Sequence, residues 1–216
     1  MKLYEGWHSS ASWRVRWALA LKELSYQSVW LDIAAGEHLQ VLPAINPLCT
    51  VPTLELAAGD VLSESVAIIE WLDETQTQTG PRFLPEDTRT RAYVRQLVQL
   101  VNSGIHPLQN TILRRAISND PAEQNAFAAR FIERGLQAYE ALVQHQPGRF
   151  SSGDSLTMAD LFLIPQLENA KRFGANIQSL PRIRAIYDAC MNTPEAATTH
   201  PRVVEARAKA ERSSTS

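Results

Sequence analysis

The sequence predicts an α+β protein whose first part alternates strands with helices and whose second part is built of helices alone. Up to about residue 78, strand and helix signals follow in the order β-α-β, an irregular crossover and β-β-α. From residue 87 onward, the apolar residues recur at helical spacing, and no run of β-branched residues indicates a strand. A stretch rich in proline, glycine, glutamine and threonine separates the two parts. We therefore expect a first domain at residues 1–78, a linker at 79–86 and a helical domain at 87–216.

Each element of the first part has a local signal. Ser12 precedes apolar residues at helical spacing, and Ser65 does the same for a second helix. The expected strands are Lys2–Trp7, Tyr26–Ile33, Pro52–Leu56 and Val61–Ser63. This order of elements is that of a thioredoxin-like domain.

The second part is expected to contain three long helices, over Asp87–Val101, from Pro121 to about Gln144, and from Thr157. Thr157 and Asp160 form a T-x-x-D capping pair, and Pro165 is expected to kink the helix that they begin. Both features are interpreted as structural. The polar tail after Pro194 is expected to fray.

Composition excludes several classes of function. With 21 Lys and Arg against 23 Asp and Glu, the formal net charge is −2, which gives no cationic footprint for nucleic acid or an anionic membrane. The two cysteines, Cys49 and Cys190, lie far apart, so neither a disulfide framework nor a structural zinc site is indicated. Signal-peptide and membrane-spanning runs are absent from the sequence, and we expect a cytoplasmic protein. Since no H-x-x-x-H, Walker or G-x-G-x-x-G pattern occurs, no metal or nucleotide cofactor is expected.

A row of hydroxyl groups stands where the first strand meets the first helix, at Ser9-Ser10-Ala11-Ser12. Dithiol chemistry would need two cysteines in this place, and the sequence has none. Serine hydroxyls and unpaired N–H groups at a helix N-terminus suit the thiolate of a bound ligand, because they lower the pKa of its thiol. The alternative is simple capping of the helix.

Two further segments favour a ligand. Val51-Pro52 precedes a strand, and in a cis conformation it would leave the N–H and C=O of Val51 open to a peptide-like ligand. Glu64-Ser65 begins the next helix, where Ser65 and the N–H groups suit a carboxylate and Glu64 suits an ammonium group. A thiol site, an open backbone edge and an amino-acid zwitterion site together describe glutathione.

Five strings carry a resemblance to a known family: SSASWRVRWALALKEL, INPLCTVPTLEL, SESVAIIEWLDE, GIHPLQN and LTMADLFLIPQLENAKRF. In this order, from about Leu3 to Pro194, they resemble the zeta-class glutathione transferases, whose best-known members are maleylacetoacetate isomerases. The resemblance implies the glutathione transferase architecture, a thioredoxin-like domain followed by an all-α domain. It also implies a homodimer.

The resemblance assigns roles to individual residues. Ser9 would activate the glutathione sulfur as the catalytic hydroxyl, with Ser10 in the same turn. The other positions that match glutathione-binding residues are His38, Val51, Pro52, Glu64 and Ser65. The positions that match substrate-binding residues are His106, Asn110 and Arg172, the last of which would hold a carboxylate. For Arg14 and Arg16 we favour structural salt bridges over substrate contact.

Three positions depart from the family pattern. Ala11 replaces the usual cysteine, and Glu64 replaces a common glutamine, but we expect glutathione binding to survive both changes. His8 replaces an arginine that helps to hold dianionic substrates. Histidine supplies a full charge only below its unperturbed pKa of about 6.5.

Maleylpyruvate isomerases of the same class carry two adjacent arginines shortly after GIHP. Thr111 and Ile112 stand at those positions here, and Arg114 and Arg115 follow by about one helical turn. This displacement weakens the maleylpyruvate interpretation.

The expected activity is glutathione-dependent isomerisation of maleylacetoacetate to fumarylacetoacetate, in tyrosine and phenylalanine catabolism. The thiolate would add to the conjugated cis double bond, allow it to rotate and then be eliminated. The alternatives are maleylpyruvate isomerisation, conjugation of glutathione to small electrophiles such as α-haloacids, and a non-catalytic scaffold. His8 favours conjugation, whereas the intact glutathione positions argue against a scaffold.

Overall fold

A computed structural model describes residues 1–214 of the chain, with side chains up to residue 210. The chain forms two compact units. The first contains Met1–Arg82 together with the residues from Thr193 onward, and the second contains Phe83–Asn192. The structure therefore places the C-terminal segment with the first unit, whereas the sequence predicts one continuous helical domain from residue 87.

The first unit contains a mixed four-stranded sheet. Its strands are β1 (Lys2–Glu5), β2 (Gln27–Trp30), β3 (Thr53–Glu55) and β4 (Val61–Ser63). Their order in the sheet is β2-β1-β3-β4, with β1 parallel to β2 and antiparallel to β3, and β3 antiparallel to β4. This confirms the predicted fold class. The first three strands are shorter than predicted, because the residues at their ends turn away into loops.

The described helices of the first unit are α1 (Ser10–Leu21), α2 (His38–Val41), α3 (Ser65–Thr75), α9 (Pro194–Thr199) and α10 (Pro201–Ser214). Helix α1 is buried on all sides from Ser10 to Leu19. A helix buried in this way must satisfy every charged group that it carries, since a buried unpaired charge is costly. Arg14 and Arg16 are both fully buried on it.

Arg16 explains why the C-terminal segment joins the first unit. Its Nη1 lies 2.8 Å from the Glu5 carboxylate, and its Nε donates to the C=O of Thr199 at 2.9 Å. Trp13 Nε1 donates to Thr199 Oγ1 at 3.1 Å, and the ring of Trp13 meets that of His200 with centroids 5.1 Å apart. The structural salt bridge predicted for Arg16 is thus present, and the Nε of the same guanidinium fixes the end of α9.

The sequence predicts that the polar tail EARAKAERSSTS frays, whereas the structure continues α10 to Ser214. Val204 and Ala208 of α10 are buried, which gives this polar helix an apolar face. Hydrophobic residues at positions i and i+4 share one face of a helix, so the pattern is present in the sequence but short. The last two residues of the predicted tail lie outside the described residues.

The described helices of the second unit are α4 (Thr88–Asn102), a short 3-10 helix (His106–Gln109), α5 (Thr111–Ile117), α6 (Pro121–Val143), α7 (Met158–Phe173) and α8 (Pro181–Met191). The T-x-x-D pair caps α7 as predicted, because the Asp160 carboxylate accepts from the N–H of Thr157 at 2.8 Å. Its second oxygen accepts from the N–H of Ser151 at 2.8 Å. Pro165 lies inside α7.

Close packing positions the 3-10 helix. Gly135 of α6 faces Ile105, and a Cβ atom at Gly135 would come within 2.3 Å of Ile105 Cγ1. Glycine therefore allows the chain just before His106 to approach α6 closely.

No helix in the described part of the chain is long and apolar enough to span a membrane.

Candidate active site

Ser9 caps helix α1 with its hydroxyl oxygen, and the cap does not use its hydroxyl proton. Its backbone is extended, and its Oγ accepts from the N–H of Ser12 at 3.1 Å. A hydroxyl group has one proton to donate as well as lone pairs to accept with. Within the described residues, the Ser9 hydroxyl donates to no acceptor. Capping and activation of a ligand thiolate therefore use different parts of the same hydroxyl group.

The rest of the serine row is buried. Ser10 begins α1 and is 6% exposed, while Ser12 is fully buried and its Oγ accepts from the N–H of Gly6 at 3.3 Å. This bond closes the loop between β1 and α1. This loop and the first turn of α1 together hold Ser9 at the N-terminus of the helix.

The sheet register brings the next predicted residues to the same edge. Thr53 pairs with Tyr4 of β1 and with Ser63 of β4. Because both pairings are antiparallel, Val51-Pro52 lies just beyond the end of β1 and beside the residue that follows β4. That residue is Glu64. The loop from β1 to Ser9, the Val51-Pro52 segment and the start of α3 therefore meet at one edge of the sheet.

Val51 presents open backbone groups at this edge. The Val51-Pro52 peptide bond is cis. The N–H and C=O of Val51 make no hydrogen bond within the described residues. An extended segment with an open N–H and C=O can pair with the backbone of a peptide-like ligand.

The start of α3 offers a site for a carboxylate. Glu64 has a positive φ of 70°, a conformation that is uncommon for a residue with a side chain. The N–H groups of Ser65, Val66 and Ala67 have no acceptor among the described residues, as expected for the first turn of a helix. This arrangement suits an anionic group near the helix and a cationic group near Glu64.

Arg14 reaches this carboxylate site from inside the core. Its Nη1 donates to Ser65 Oγ at 3.2 Å. Burial lowers the pKa of Arg14 to about 9, and the negative charge of Glu64 opposes that shift. The guanidinium is still charged at neutral pH. Arg14 thus makes a buried contact with Ser65, which is one of the predicted glutathione-binding residues.

His38 and His8 have different surroundings. His38 begins α2, and its Nδ1 is buried without a hydrogen-bond partner in the described part of the chain. His8 precedes Ser9, and its Nε2 lies 3.3 Å from the carboxylate of Glu205 on α10. Hydrogen bonding to Lys209 and the charge of His8 hold the pKa of Glu205 below its usual value.

In the second unit, the ring of His106 lies beside the linked side-chain amides of Gln109 and Gln166. Gln109 Nε2 lies 3.2 Å from His106 Nδ1. The side chains of Gln109 and Gln166 exchange two hydrogen bonds of 3.1 and 2.9 Å. Asn110 is exposed at the start of α5 and makes no side-chain cap. The short 3-10 helix thereby holds His106 in place while Asn110 stays accessible.

Arg172 lies near the end of α7 and is exposed. Its Cζ is 5.7 Å from the centroid of the Phe173 ring. Arg114 of α5 approaches the same ring, with its Cζ 4.9 Å from the centroid. Two guanidinium groups and one aromatic ring thus form a cluster in the second unit.

Comparison with known proteins shows the family to which the chain belongs. Residues 8–75 match the family model of the glutathione S-transferase N-terminal domain, and residues 106–198 match that of the C-terminal domain. A solved maleyl pyruvate isomerase, described as a bacterial glutathione S-transferase of the zeta class, superposes with a TM-score of 0.89 at 38% identity. That match covers 94% of this chain and 98% of the other. The chain belongs to the zeta class of glutathione transferases.

Two further relatives of this zeta-class transferase extend the comparison. Probable maleylacetoacetate isomerase 1 of Drosophila melanogaster is 38% identical over 203 residues, which is 92% of this chain and 80% of that protein. The maleylacetoacetate isomerase of Anaeromyxobacter dehalogenans 2CP-1, solved with GSH bound in its active site, is 42% identical with a TM-score of 0.85. It covers 94% of this chain and 95% of its own.

Sequence reasoning did not predict two contacts in the second unit, the pairing of Gln109 with Gln166 and the approach of Arg114 to the Phe173 ring. Gln109 and Gln166 are buried polar residues 57 positions apart, and no local pattern pairs them. In the sequence, Arg114 is distinguished only by following the paired-arginine positions of maleylpyruvate isomerases by about one helical turn. Its aromatic contact depends on how α5 packs against the end of α7.

Proposed function

We propose that this zeta-class transferase uses glutathione to isomerise maleylacetoacetate to fumarylacetoacetate. The observation that carries the proposal is the hydroxyl proton of Ser9, which has no acceptor in the described residues and lies at the N-terminus of a buried helix. Such a donor stabilises a thiolate and so lowers the pKa of its thiol. The similarity to proteins named as maleylacetoacetate isomerases supports this choice of substrate.

The residues at the sheet edge fit glutathione. Ser9, with Ser10 in the same turn, would receive the sulfur, and the open N–H and C=O of Val51 beside Pro52 would pair with its peptide backbone. The first turn of α3 at Ser65 would take the α-carboxylate, and Glu64 would take the ammonium group. His38 has a buried Nδ1 without a partner in the described residues and would bind a further polar group of the ligand.

Bound glutathione supplies a thiolate that adds to the conjugated cis double bond and leaves after that bond has rotated. Ser9 donates its hydroxyl proton as a hydrogen bond to hold the sulfur ionised. Arg172 binds a substrate carboxylate and so orients the double bond. His106, whose Nδ1 faces Gln109, and Asn110 offer polar groups to the substrate.

The biological setting belongs to the same proposal. We place the reaction in the catabolism of tyrosine and phenylalanine, in the cytoplasm, with the enzyme as a homodimer. Support for the cytoplasm comes from the two cysteines, Cys49 and Cys190, which lie far apart in the sequence and indicate no disulfide framework. The homodimer rests on the resemblance to the family.

Two other activities are candidates. Maleylpyruvate isomerisation is favoured by the likeness to a solved maleyl pyruvate isomerase. Conjugation of glutathione to small electrophiles such as α-haloacids is favoured by His8, which replaces the arginine of the family pattern and whose Nε2 lies 3.3 Å from the carboxylate of Glu205. A dianionic substrate gains less from a histidine that is already paired.

The test is turnover of maleylacetone, a stable stand-in for maleylacetoacetate, with and without glutathione. We expect isomerisation only when glutathione is present, and loss of most of it in Ser9→Ala. Maleylpyruvate and an α-haloacid are assayed in parallel. Conjugation of the haloacid without isomerisation of either maleyl compound would overturn the proposed activity while leaving the glutathione site intact.

A further inference from the structure

Ser9 ends a short turn of the backbone, the 6–9 turn. The N–H of Ser9 donates to the C=O of Gly6 at 3.1 Å, and this hydrogen bond closes the turn. Trp7 and His8 occupy its two central positions. Because Ser9 is the last residue of the turn, the direction of its hydroxyl group depends on how Trp7 and His8 are held.

Arg16 of α1 holds the first central residue. Its Nη2 donates to the C=O of Trp7 at 3.1 Å, and its Nη1 pairs with the carboxylate of Glu5 at 2.8 Å. Its Nε donates to the C=O of Thr199, the last residue of α9, at 2.9 Å. The side chains of Arg16 and Glu5 are fully buried. One buried guanidinium group thus joins β1, the 6–9 turn and α9 with its planar set of donors.

Helix α10 holds the second central residue. Nε2 of His8 lies 3.3 Å from the carboxylate of Glu205, which also pairs with Lys209 at 2.7 Å. Nε2 donates a hydrogen bond in the histidine cation and in the neutral tautomer that carries the proton on this atom. The contact between His8 and Glu205 therefore does not require a positive charge on His8.

Specific contacts fix the C-terminal segment, α9 and α10, in the first unit. Nε1 of Trp13 donates to Thr199 Oγ1 at 3.1 Å, and the ring of Trp13 meets that of His200 edge-on. Val204 and Ala208 bury one face of α10. The two groups that reach the 6–9 turn, one through Arg16 and one directly, are therefore held in place by the packing of this segment.

We propose that the C-terminal segment positions the Ser9 hydroxyl group for its hydrogen bond to the glutathione sulfur. Arg16, Thr199 and Glu205 are then positioning residues, which act through the 6–9 turn without touching the ligand. The inference rests on the proposed function, in which Ser9 stabilises the thiolate. A donor that is already aimed at the developing charge stabilises it more than a mobile donor does, because no reorganisation is needed.

The ultraviolet absorbance of the thiolate, followed against pH in the glutathione complex, tests the proposal without any turnover. Glu205→Gln removes the charged acceptor of His8, and Thr199→Val removes the acceptor of Trp13 Nε1 at similar side-chain volume. We expect each variant to raise the pKa of the bound thiol by about 0.5, and the double variant to raise it by about 1. The double variant would then hold about tenfold less thiolate at a pH below that pKa.

The sign of the shift separates positioning from a direct effect of charge. Loss of a negative charge near the sulfur would by itself favour the thiolate and lower the pKa of the thiol. Loss of the contact that holds His8 should raise it, because the Ser9 hydroxyl group is then less well aimed. A lowered or unchanged thiol pKa in Glu205→Gln would overturn the proposal.

A second background tests whether Glu205 acts through Ser9. In Ser9→Ala the hydroxyl group is absent, so adding Glu205→Gln should change the thiol pKa by less than about 0.2. A shift as large as that in the wild-type background would overturn the proposal.

Glu195→Gln is the matched control, because it makes the same chemical change in the first turn of α9. In the described part of the chain, the side chain of Glu195 makes no contact with the 6–9 turn. Its thiol pKa should equal that of the wild type. An equal rise in Glu195→Gln and Glu205→Gln would count against positioning, since it would indicate general loosening of the segment. Circular dichroism and thermal unfolding establish that each variant is folded.

The result is separable from the proposed isomerase activity. If the enzyme turns over no maleyl compound and the shift in Glu205→Gln still depends on Ser9, the proposed function fails and the positioning role stands. If isomerisation is rapid and the thiol pKa is the same in Glu205→Gln and Thr199→Val as in the wild type, the positioning role fails and the proposed function stands.

Discussion

Arg14 Nη1 donates a hydrogen bond of 3.2 Å to Ser65 Oγ, and both residues are buried. They lie 51 positions apart, on α1 and α3, the two helices whose N-termini carry the proposed glutathione-binding residues. The hydroxyl of a helix-initiating serine is thus oriented by a cation from the helix that carries Ser9. Arg14 thus joins the helix that Ser9 caps to the start of α3, where the α-carboxylate of glutathione is proposed to bind.

A double-mutant cycle on this pair should show that coupling in glutathione binding. Arg14→Met and Ser65→Ala should each weaken binding by about tenfold, because hydrogen bonds to charged groups contribute about 1.5–3 kcal/mol. The double variant should lose less than the sum of both single losses, since one interaction is removed twice. Calorimetric titration of glutathione measures all four proteins. Fully additive losses in folded variants would mean that Arg14 does not act through Ser65.

Ser9→Ala should reduce turnover far more than glutathione affinity. Removing the hydroxyl proton raises the pKa of the bound thiol, so less thiolate is present at pH 7, and kcat should fall by roughly 10². Because the deficit is one of ionisation, raising the pH above the new thiol pKa should restore part of the activity. Loss of the cap should also cost about 1 kcal/mol of folding free energy.

Ser9→Thr is the control for this experiment, because threonine keeps both the hydroxyl and the capping oxygen. The ultraviolet absorbance of the thiolate, followed against pH in each complex, reports the thiol pKa directly. An unchanged thiol pKa in Ser9→Ala would remove Ser9 from the mechanism, whatever the effect on stability.

How far the sequence could predict this structure depended on the distance between interacting residues. Val61–Ser63 was predicted with the observed bounds, and Ser9 was placed at a helix N-terminus, because strand alternation and capping are local signals. The contact between Arg16 and Thr199 spans 183 positions, and no pattern near either residue announces it. The packing of the C-terminal segment in the first unit therefore could not be predicted from the sequence.

The same limit applies to the site. In the first unit, Ser9, Val51-Pro52 and Glu64-Ser65 stand where helices or strands begin, so a role could be proposed for them from neighbouring residues, whereas His38 was assigned by the family resemblance alone. The role of Arg14 could not, because helical periodicity places it on a buried face without indicating which acceptor it meets. The acceptor is Ser65, which tertiary packing brings next to Arg14.

The two cysteines should differ sharply in reactivity. Burial raises the pKa of the Cys190 thiol well above its ordinary value, and Cys190 is fully buried. Cys49 is partly exposed and lies two positions before Val51. Since the thiolate is the reactive form, iodoacetamide should label Cys49 in the native protein and leave Cys190 unmodified.

A ligand at the proposed site should protect Cys49. S-Methylglutathione, which has no free thiol to consume the reagent, should slow labelling of Cys49, and mass spectrometry of the peptides would measure both rates. Cys49→Ser, which should take up no label until unfolded, is the control. Labelling of Cys49 at the same rate with and without saturating S-methylglutathione would place the ligand away from Val51.

His8 and Glu205 allow the choice of substrate to be changed. The His8 side chain is 54% exposed, and its Nε2 lies 3.3 Å from the Glu205 carboxylate, so any positive charge on His8 is partly neutralised. His8→Arg supplies a permanent charge and should lower the KM for a dicarboxylate at neutral pH, with little change in kcat. Adding Glu205→Gln should lower that KM further, because the neutral amide no longer competes with the substrate for the guanidinium.

Glu205→Gln alone controls for the loss of the ion pair between α10 and the loop before Ser9, and its stability is followed by thermal unfolding. Steady-state kinetics with maleylacetoacetate and with maleylacetone, which has a single carboxylate, provide the comparison. A KM for the dicarboxylate that is the same in all four proteins would show that His8 does not face the substrate.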